Sequence, residues 1–81
     1  MNLNIQLFAA ARDAANRSPV QLDLPTGATV KDLKDRIVED IPNLKAMSGS
    51  LLFAVNNEYA ADDQVLTESD EVACFPPVSG G

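Results

Sequence analysis

The sequence predicts an α+β domain, a mixed sheet with one main helix packed across it. Three observations carry that expectation. Segments near both ends alternate apolar and polar residues, one central stretch repeats its apolar residues with helical spacing, and 81 residues suffice for a single domain. A chain of this length buries only about 60–65% of the surface its unfolded form exposes, so the core is thin and leaves no room for a deep enclosed pocket.

The elements follow in order. From Asn2 to Phe8, Leu3, Ile5 and Leu7 fall on one face while Asn2, Asn4, Gln6 and Phe8 fall on the other. That is a strand with one buried face. Ala9 to Asn16 is built from strong helix formers but has length for only about two turns, and Ser18-Pro19 is expected to end it. Val20 to Leu24 alternates again, and its short connection to the first strand suggests a pair. Pro25-Thr26-Gly27 is turn chemistry. Thr29 stands three residues before Asp32, a shortened capping box that normally carries Glu or Gln. Beyond it Val30, Leu33, Ile37, Val38 and Ile41 trace one helix face, with Lys31, Lys34, Asp35 and Glu39 opposite. Pro42 closes that helix, because the residue before a proline leaves helical geometry.

Asn43 to Ser50 reads as a loop with room for one turn around Leu44 to Met47. Leu51 to Val55 is a short apolar run suited to a buried strand, Asn56-Asn57 a turn, and Tyr59 the start of a brief strand. Asp62-Asp63 and Thr67 to Asp70 are polar connections, and Val72 to Phe75 is the last strand. Prolines cannot donate to a sheet ladder and glycines add no side-chain contacts. Residues 1–75 are therefore expected to form the domain, and residues 76–81, Pro-Pro-Val-Ser-Gly-Gly, a flexible tail.

Composition narrows the function. With 46% apolar and 22% charged residues the chain has what a folded core needs. Twelve acidic against six basic residues give a net charge of −6, which argues against nucleic acid, since phosphate backbones are held by Lys and Arg. The same charge suits basic surfaces on partner proteins. No apolar run approaches the roughly 20 residues of a membrane span. The start lacks the pattern of a signal peptide and one cysteine forms no internal disulfide, so a cytoplasmic protein is expected.

Side-chain catalysis is poorly provided for. Without histidine and with Cys74 alone, neither a Cys-His nor a Ser-His relay nor a zinc cluster can be built. Asp62-Asp63 and Asp70-Glu71 lack the ligand spacing of a calcium loop and read as solvated turns. Cys74 shares a strand face with Val72, as a buried thiol would. The chemistry moves to the tail. Six residues reach about 20 Å when extended, Pro76-Pro77 favour a stiff extended start, and Gly80 and Gly81 can pass a channel too narrow for residues with a Cβ. A terminal Gly81 leaves its carboxylate open to activation. Strand phase adds a second clue, since Phe8 and Phe75 both fall opposite the core face and suggest a protein-binding patch.

These residues resemble the small subunits of molybdopterin synthase, sulfur carriers with the ubiquitin-like β-grasp fold. The resemblance covers nearly the whole chain. It rests on Leu7-Phe8-Ala9 with Arg12-Asp13, on Leu52 to Asn56, on Asp70-Glu71-Val72, and above all on Phe75-Pro76-Pro77-Val78-Ser79-Gly80-Gly81. The family often has Arg-Glu where this chain has Arg12-Asp13. The resemblance implies that Gly81 is adenylated by a ubiquitin-activating-like enzyme and converted to a thiocarboxylate by a sulfurtransferase. The tail, from Pro76, Pro77, Val78 and Ser79 to Gly80, then enters the large synthase subunit. There sulfur passes to cyclic pyranopterin monophosphate to form molybdopterin. It implies Phe8, Tyr59 and Phe75 as partner-interface residues and catalytic side chains on the large subunit. It also implies no cofactor on this chain, with ATP and magnesium used by the activating partner. A sulfur carrier for thiamine or tRNA thiolation, a ubiquitin-like covalent modifier, and a plain interaction domain are the competing readings.

Overall fold

In the computed structural model, which describes residues 1–76, β1 (Asn2–Leu7) buries Leu3, Ile5 and Leu7 and exposes the residues between them, as the alternation requires. A helix, α1 (Ala9–Ala15), follows directly. It ends at Asn16, which adopts the left-handed conformation (φ 58°) and donates its N–H to the Arg12 carbonyl at 2.8 Å. Asparagine tolerates that geometry, so the helix stops before Ser18-Pro19, the stop expected from sequence. β2 (Val20–Asp23) returns antiparallel to β1, with Val20 opposite Ile5 and Asp23 opposite Asn2.

The main helix, α2 (Val30–Asp40), begins at the expected capping box. The Asp32 carboxylate accepts from the Thr29 N–H at 2.9 Å, and the Thr29 hydroxyl accepts from the Asp32 N–H at 3.3 Å. A cap of this kind contributes about 1 kcal/mol. Two further N–H groups of the first turn, on Val30 and Lys31, donate at 3.0 Å each to the carbonyls of Gln64 and Asp62. The helix start thus has partners for donors that would otherwise be orphaned. Val30, Leu33 and Ile37 are wholly buried, Val38 is half-buried, and Ile41 is buried at the C-cap.

Pro42 opens a 3-10 helix, Pro42–Ser50, where the sequence suggested a loop with one turn. Runs this long are uncommon, and tertiary contacts hold this one. Leu44 is buried, Met47 packs on the core one 3-10 turn later, and the Asn43 amide donates to the Ala14 carbonyl at 3.2 Å. Leu51, buried, caps the 3-10 helix. The next strand, β3 (Leu52–Val55), therefore starts one residue later than expected. Asn56 and Asn57, with φ of 53° and 71°, form the turn to β4 (Glu58–Tyr59). Positive φ at both central residues is the geometry of a tight hairpin turn, and asparagine accepts it more readily than most residues. After a long loop, β5 (Val72–Phe75) completes a five-stranded sheet ordered β2-β1-β5-β3-β4. β1 and β5 pair in parallel, and the other neighbours are antiparallel. One face of the sheet joins α1, α2 and the 3-10 helix in a single apolar core.

Sequence analysis passed over one anchor in the loop before β5. Leu66 is buried and its N–H donates to the Ala28 carbonyl at 2.8 Å, beside a single bridge between Thr29 and Val65. Asp70 ties the end of this loop, accepting from the Thr67 N–H at 2.8 Å and the Asn56 amide at 3.0 Å. The Thr67 N–H, above all, holds the Asp70 carboxyl below its ordinary value of 3.8, with the Asn56 amide adding to the effect against a small desolvation penalty. A depressed folded-state pKa means stability that is fully present above the ordinary value and is lost as pH falls through the folded one. Urea denaturation across acid pH should therefore show that Asp70→Asn flattens the fall in stability below pH 3.8. An unchanged slope would show that the tie carries no linked stability.

Candidate functional site

The parallel pairing of β1 with β5 sets Leu7 opposite Cys74, and the Phe8 N–H donates to the Cys74 carbonyl at 3.1 Å. Phe8 and Phe75, each one residue further on, then emerge side by side on the sheet face away from the core. Their rings stack with centroids 4.9 Å apart and planes 9° from parallel. At Ala9 the chain leaves β1 through a left-handed φ of 50°. Such a conformation costs an alanine about 1 kcal/mol, and here it turns the strand into α1 with Phe8 as the only intervening residue.

Cross-strand register extends the patch. Leu52 lies opposite Phe75, and Ala54 lies opposite both Ala73 and Tyr59. The Tyr59 ring sits edge-on to Phe75 at 6.4 Å. Phe8 is 43% exposed, Leu52 41% and Tyr59 75%, a concentration of bare apolar surface in a small domain. Beside the Phe75 and Tyr59 rings lies a groove of about 370 Å³, lined also by Ala54 and Ala73 and reaching Asn57 and Glu71.

All three residues proposed as an interface, Phe8, Tyr59 and Phe75, are thus brought onto one face. Pro76, half-buried, follows Phe75 immediately. Pro77, Val78, Ser79, Gly80 and Gly81 lie outside the described residues. Sequence reasoning missed Leu52, Ala54 and Ala73. Alternation within Leu51 to Val55 could have put Leu52 and Ala54 together, but which strand lies beside them is not written in local pattern.

Two of the acidic candidates have structural roles. Asp62 pairs with Lys34 at 2.7 Å, and Asp70 closes the loop before β5. Among the described residues no group of three or more His, Cys, Asp or Glu is placed to hold a metal ion, and no helix is long and apolar enough to cross a membrane. Cys74 is fully buried, and desolvation pushes its thiol up to about 12, with Lys34 acting weakly in the other direction. The thiolate is the reactive form, so the folded protein should resist aromatic disulfide reagents at pH 8 and be labelled only after urea denaturation. Prompt labelling of the native protein would contradict this burial.

A five-stranded mixed sheet in this order, crossed by one main helix, is the ubiquitin-like β-grasp. The chain belongs to the ThiS family, whose sequence profile matches residues 5–81. It is 32% identical over 81 residues to the molybdopterin synthase sulfur carrier subunit of Arabidopsis thaliana, covering all of this chain and 84% of that one. It is 35% identical over 83 residues to the protein of the same name from Chlamydomonas reinhardtii, with 100% of both chains covered. The crystal structure of SAMP1 from Haloferax volcanii superposes with a TM-score of 0.85 at 32% identity, again over 100% of both chains.

Proposed function

We propose that this chain is the sulfur carrier subunit of a molybdopterin synthase, with the Gly81 carboxylate as its working group. The observation that carries this reading is similarity along the whole chain to two proteins named as such carriers, through Gly81 itself. The described residues support it by what they offer. They present a rigid sheet with an aromatic patch beside the exit of β5, and a fully buried thiol unsuited to carrying sulfur itself.

On this reading the chain supplies a reagent and its partners supply the catalysis. An activating enzyme transfers AMP from ATP, with magnesium, to the Gly81 carboxylate and releases pyrophosphate. A sulfurtransferase's persulfide sulfur then displaces AMP, and a second thiol cleaves the sulfur–sulfur bond, leaving a thiocarboxylate on Gly81 and a disulfide between the two thiols. Adenylation matters because a carboxylate oxygen is a poor leaving group and AMP is a good one. The tail carries this nucleophile into the large subunit, whose side chains promote sulfur transfer to cyclic pyranopterin monophosphate. Two rounds complete the dithiolene of molybdopterin. Phe8, Tyr59 and Phe75 seat the domain on its partners, in the cytoplasm.

The likeness to SAMP1, which is a small archaeal modifier protein, favours a second reading in which Gly81 forms an isopeptide bond with lysines of other proteins. Intact mass spectrometry of protein from its native host separates the two. Exchange of one oxygen for sulfur at Gly81 is expected of a carrier, and lysine-linked conjugates of a modifier. With the large subunit added, thiocarboxylated protein should yield molybdopterin, and deletion of Gly81 should abolish product while leaving the unfolding curve unchanged. Product from the deleted chain would overturn the proposal.

The patch makes a separate prediction. Phe75→Ala should weaken binding to the large subunit by about 2 kcal/mol, roughly thirtyfold in Kd, and should lower folding stability by less. Titration calorimetry and urea denaturation give the two numbers. The opposite ranking would remove Phe75 from the interface.

A further inference from the structure

We propose that the groove beside Phe75 and Tyr59 seats an arginine side chain of the partner protein, with its guanidinium against the rings and turned toward the Glu71 carboxylate. The inference rests on the reading of this face as partner-facing and gives that partner a chemistry.

The groove owes its depth to what is missing from its floor. Ala54 and Ala73 sit opposite each other across β3 and β5, so two methyl groups lie where longer side chains would level the sheet. The walls are aromatic, with Phe75 braced from behind by its stack on Phe8 and Tyr59 carried by the tight hairpin. Among the residues lining the groove, Glu71 is the one acidic side chain, and no basic one lines it. No salt bridge engages Glu71 among the described residues.

Glu71 is also held in place. Its N–H donates to the Asn56 side-chain oxygen at 2.9 Å, and its carbonyl accepts from the Asn56 N–H at 2.8 Å. Asn56 is itself fixed by its amide bond to Asp70. The backbone that carries the Glu71 side chain is thereby fixed beside the groove before any partner arrives. Ordering it in advance lowers the entropy lost on binding.

Three kinds of occupant can be compared on chemistry. An aliphatic side chain would cover the alanine floor but crowd Glu71 without offering it a counter-charge, and partial desolvation of an unpaired carboxylate is costly. A lysine could reach Glu71, but its ammonium is compact, strongly hydrated and unable to stack. An arginine lays an apolar stem along the floor, places a planar cation on aromatic faces and presents forked donors to the carboxylate. The net charge of −6 draws basic surfaces to the domain from a distance.

The test uses the full chain, labelled with nitrogen-15 and titrated in parallel with Nα-acetyl-arginine amide, Nα-acetyl-lysine amide and Nα-acetyl-norleucine amide. The arginine probe should give saturable shifts at the backbone amides of Ala54, Tyr59, Glu71 and Ala73. The lysine and norleucine probes should bind more weakly, and Glu71→Gln should weaken the arginine probe by about fivefold or more, the scale of a charge-assisted hydrogen bond. An unchanged spectrum of Glu71→Gln outside the groove shows that the variant is folded. Should Glu71→Gln instead disturb the sheet, Glu71→Asp, which keeps the charge but withdraws it from the slot, must weaken the arginine probe. Equal binding of arginine and norleucine, lysine binding as tightly as arginine, shifts elsewhere, or indifference to Glu71 substitution would each overturn the assignment. Sulfur loading at Gly81, read by intact mass, reports on the carrier reading alone, so failure of one proposal is distinguishable from failure of the other.

Discussion

The parallel pairing of β1 with β5 is the constraint on which the rest of this structure depends. It joins the first and last strands of the domain at the middle of the sheet, so the fold closes only when both ends of the chain have come together. Its register puts Ile5 and Leu7 beside Val72 and Cys74 on the buried face. The same register decides the open face. Because successive residues of a strand alternate sides, burying Leu7 and Cys74 obliges Phe8 and Phe75 to emerge together, and their stacked rings follow from core packing on the other side of the sheet. A slip of one residue would exchange the two faces, exposing aliphatic side chains and burying the amides of Asn4 and Gln6.

A second set of contacts keeps this platform stiff. The N-terminus of α2 is satisfied partly by its own capping box and partly by carbonyls of the loop before β5. Leu66 pins that loop into the core, and the Asp70–Thr67–Asn56 network joins its end to the β3–β4 hairpin. Each tie is worth little alone, since surface hydrogen bonds trade against water. Together they connect the helix, the loop and the edge of the aromatic groove, so the residues lining that groove are positioned by the whole domain rather than by a flexible segment.

This division of labour suits a carrier. A domain without histidine, and with its lone thiol sealed in the core, offers little for side-chain catalysis. What it can offer is a recognisable surface, held at a defined place relative to the end of β5, from which the remaining residues continue. The aromatic patch is bordered by alanines and by Glu71, whose backbone is tied to Asn56.

Much of this was legible in the residues themselves. Period-two alternation marked β1, β2 and β5; the 3.6-residue repeat with Thr29 and Asp32 marked α2; paired asparagines marked the hairpin turn. These signals are local, because each reflects geometry repeated over a few consecutive residues. The phases also told that Phe8 and Phe75 point away from the core. Where local signals were weak the reading fell short. The helix stop at Asn16 depended on a left-handed residue rather than on the proline beyond it, and the 3-10 helix after Pro42 is held by Leu44 and Asn43 packing on distant segments. Leu66, with only Val65 beside it in a polar loop, had no periodicity to reveal it. Sequence by itself therefore determined the strands, the main helix, their buried faces and the glycine-ended segment after β5. Only tertiary structure decided which strands are neighbours, and so that Ala54, Ala73, Tyr59 and Glu71 meet beside Phe75, because strand order is set by burying one shared core and leaves no mark on any single strand.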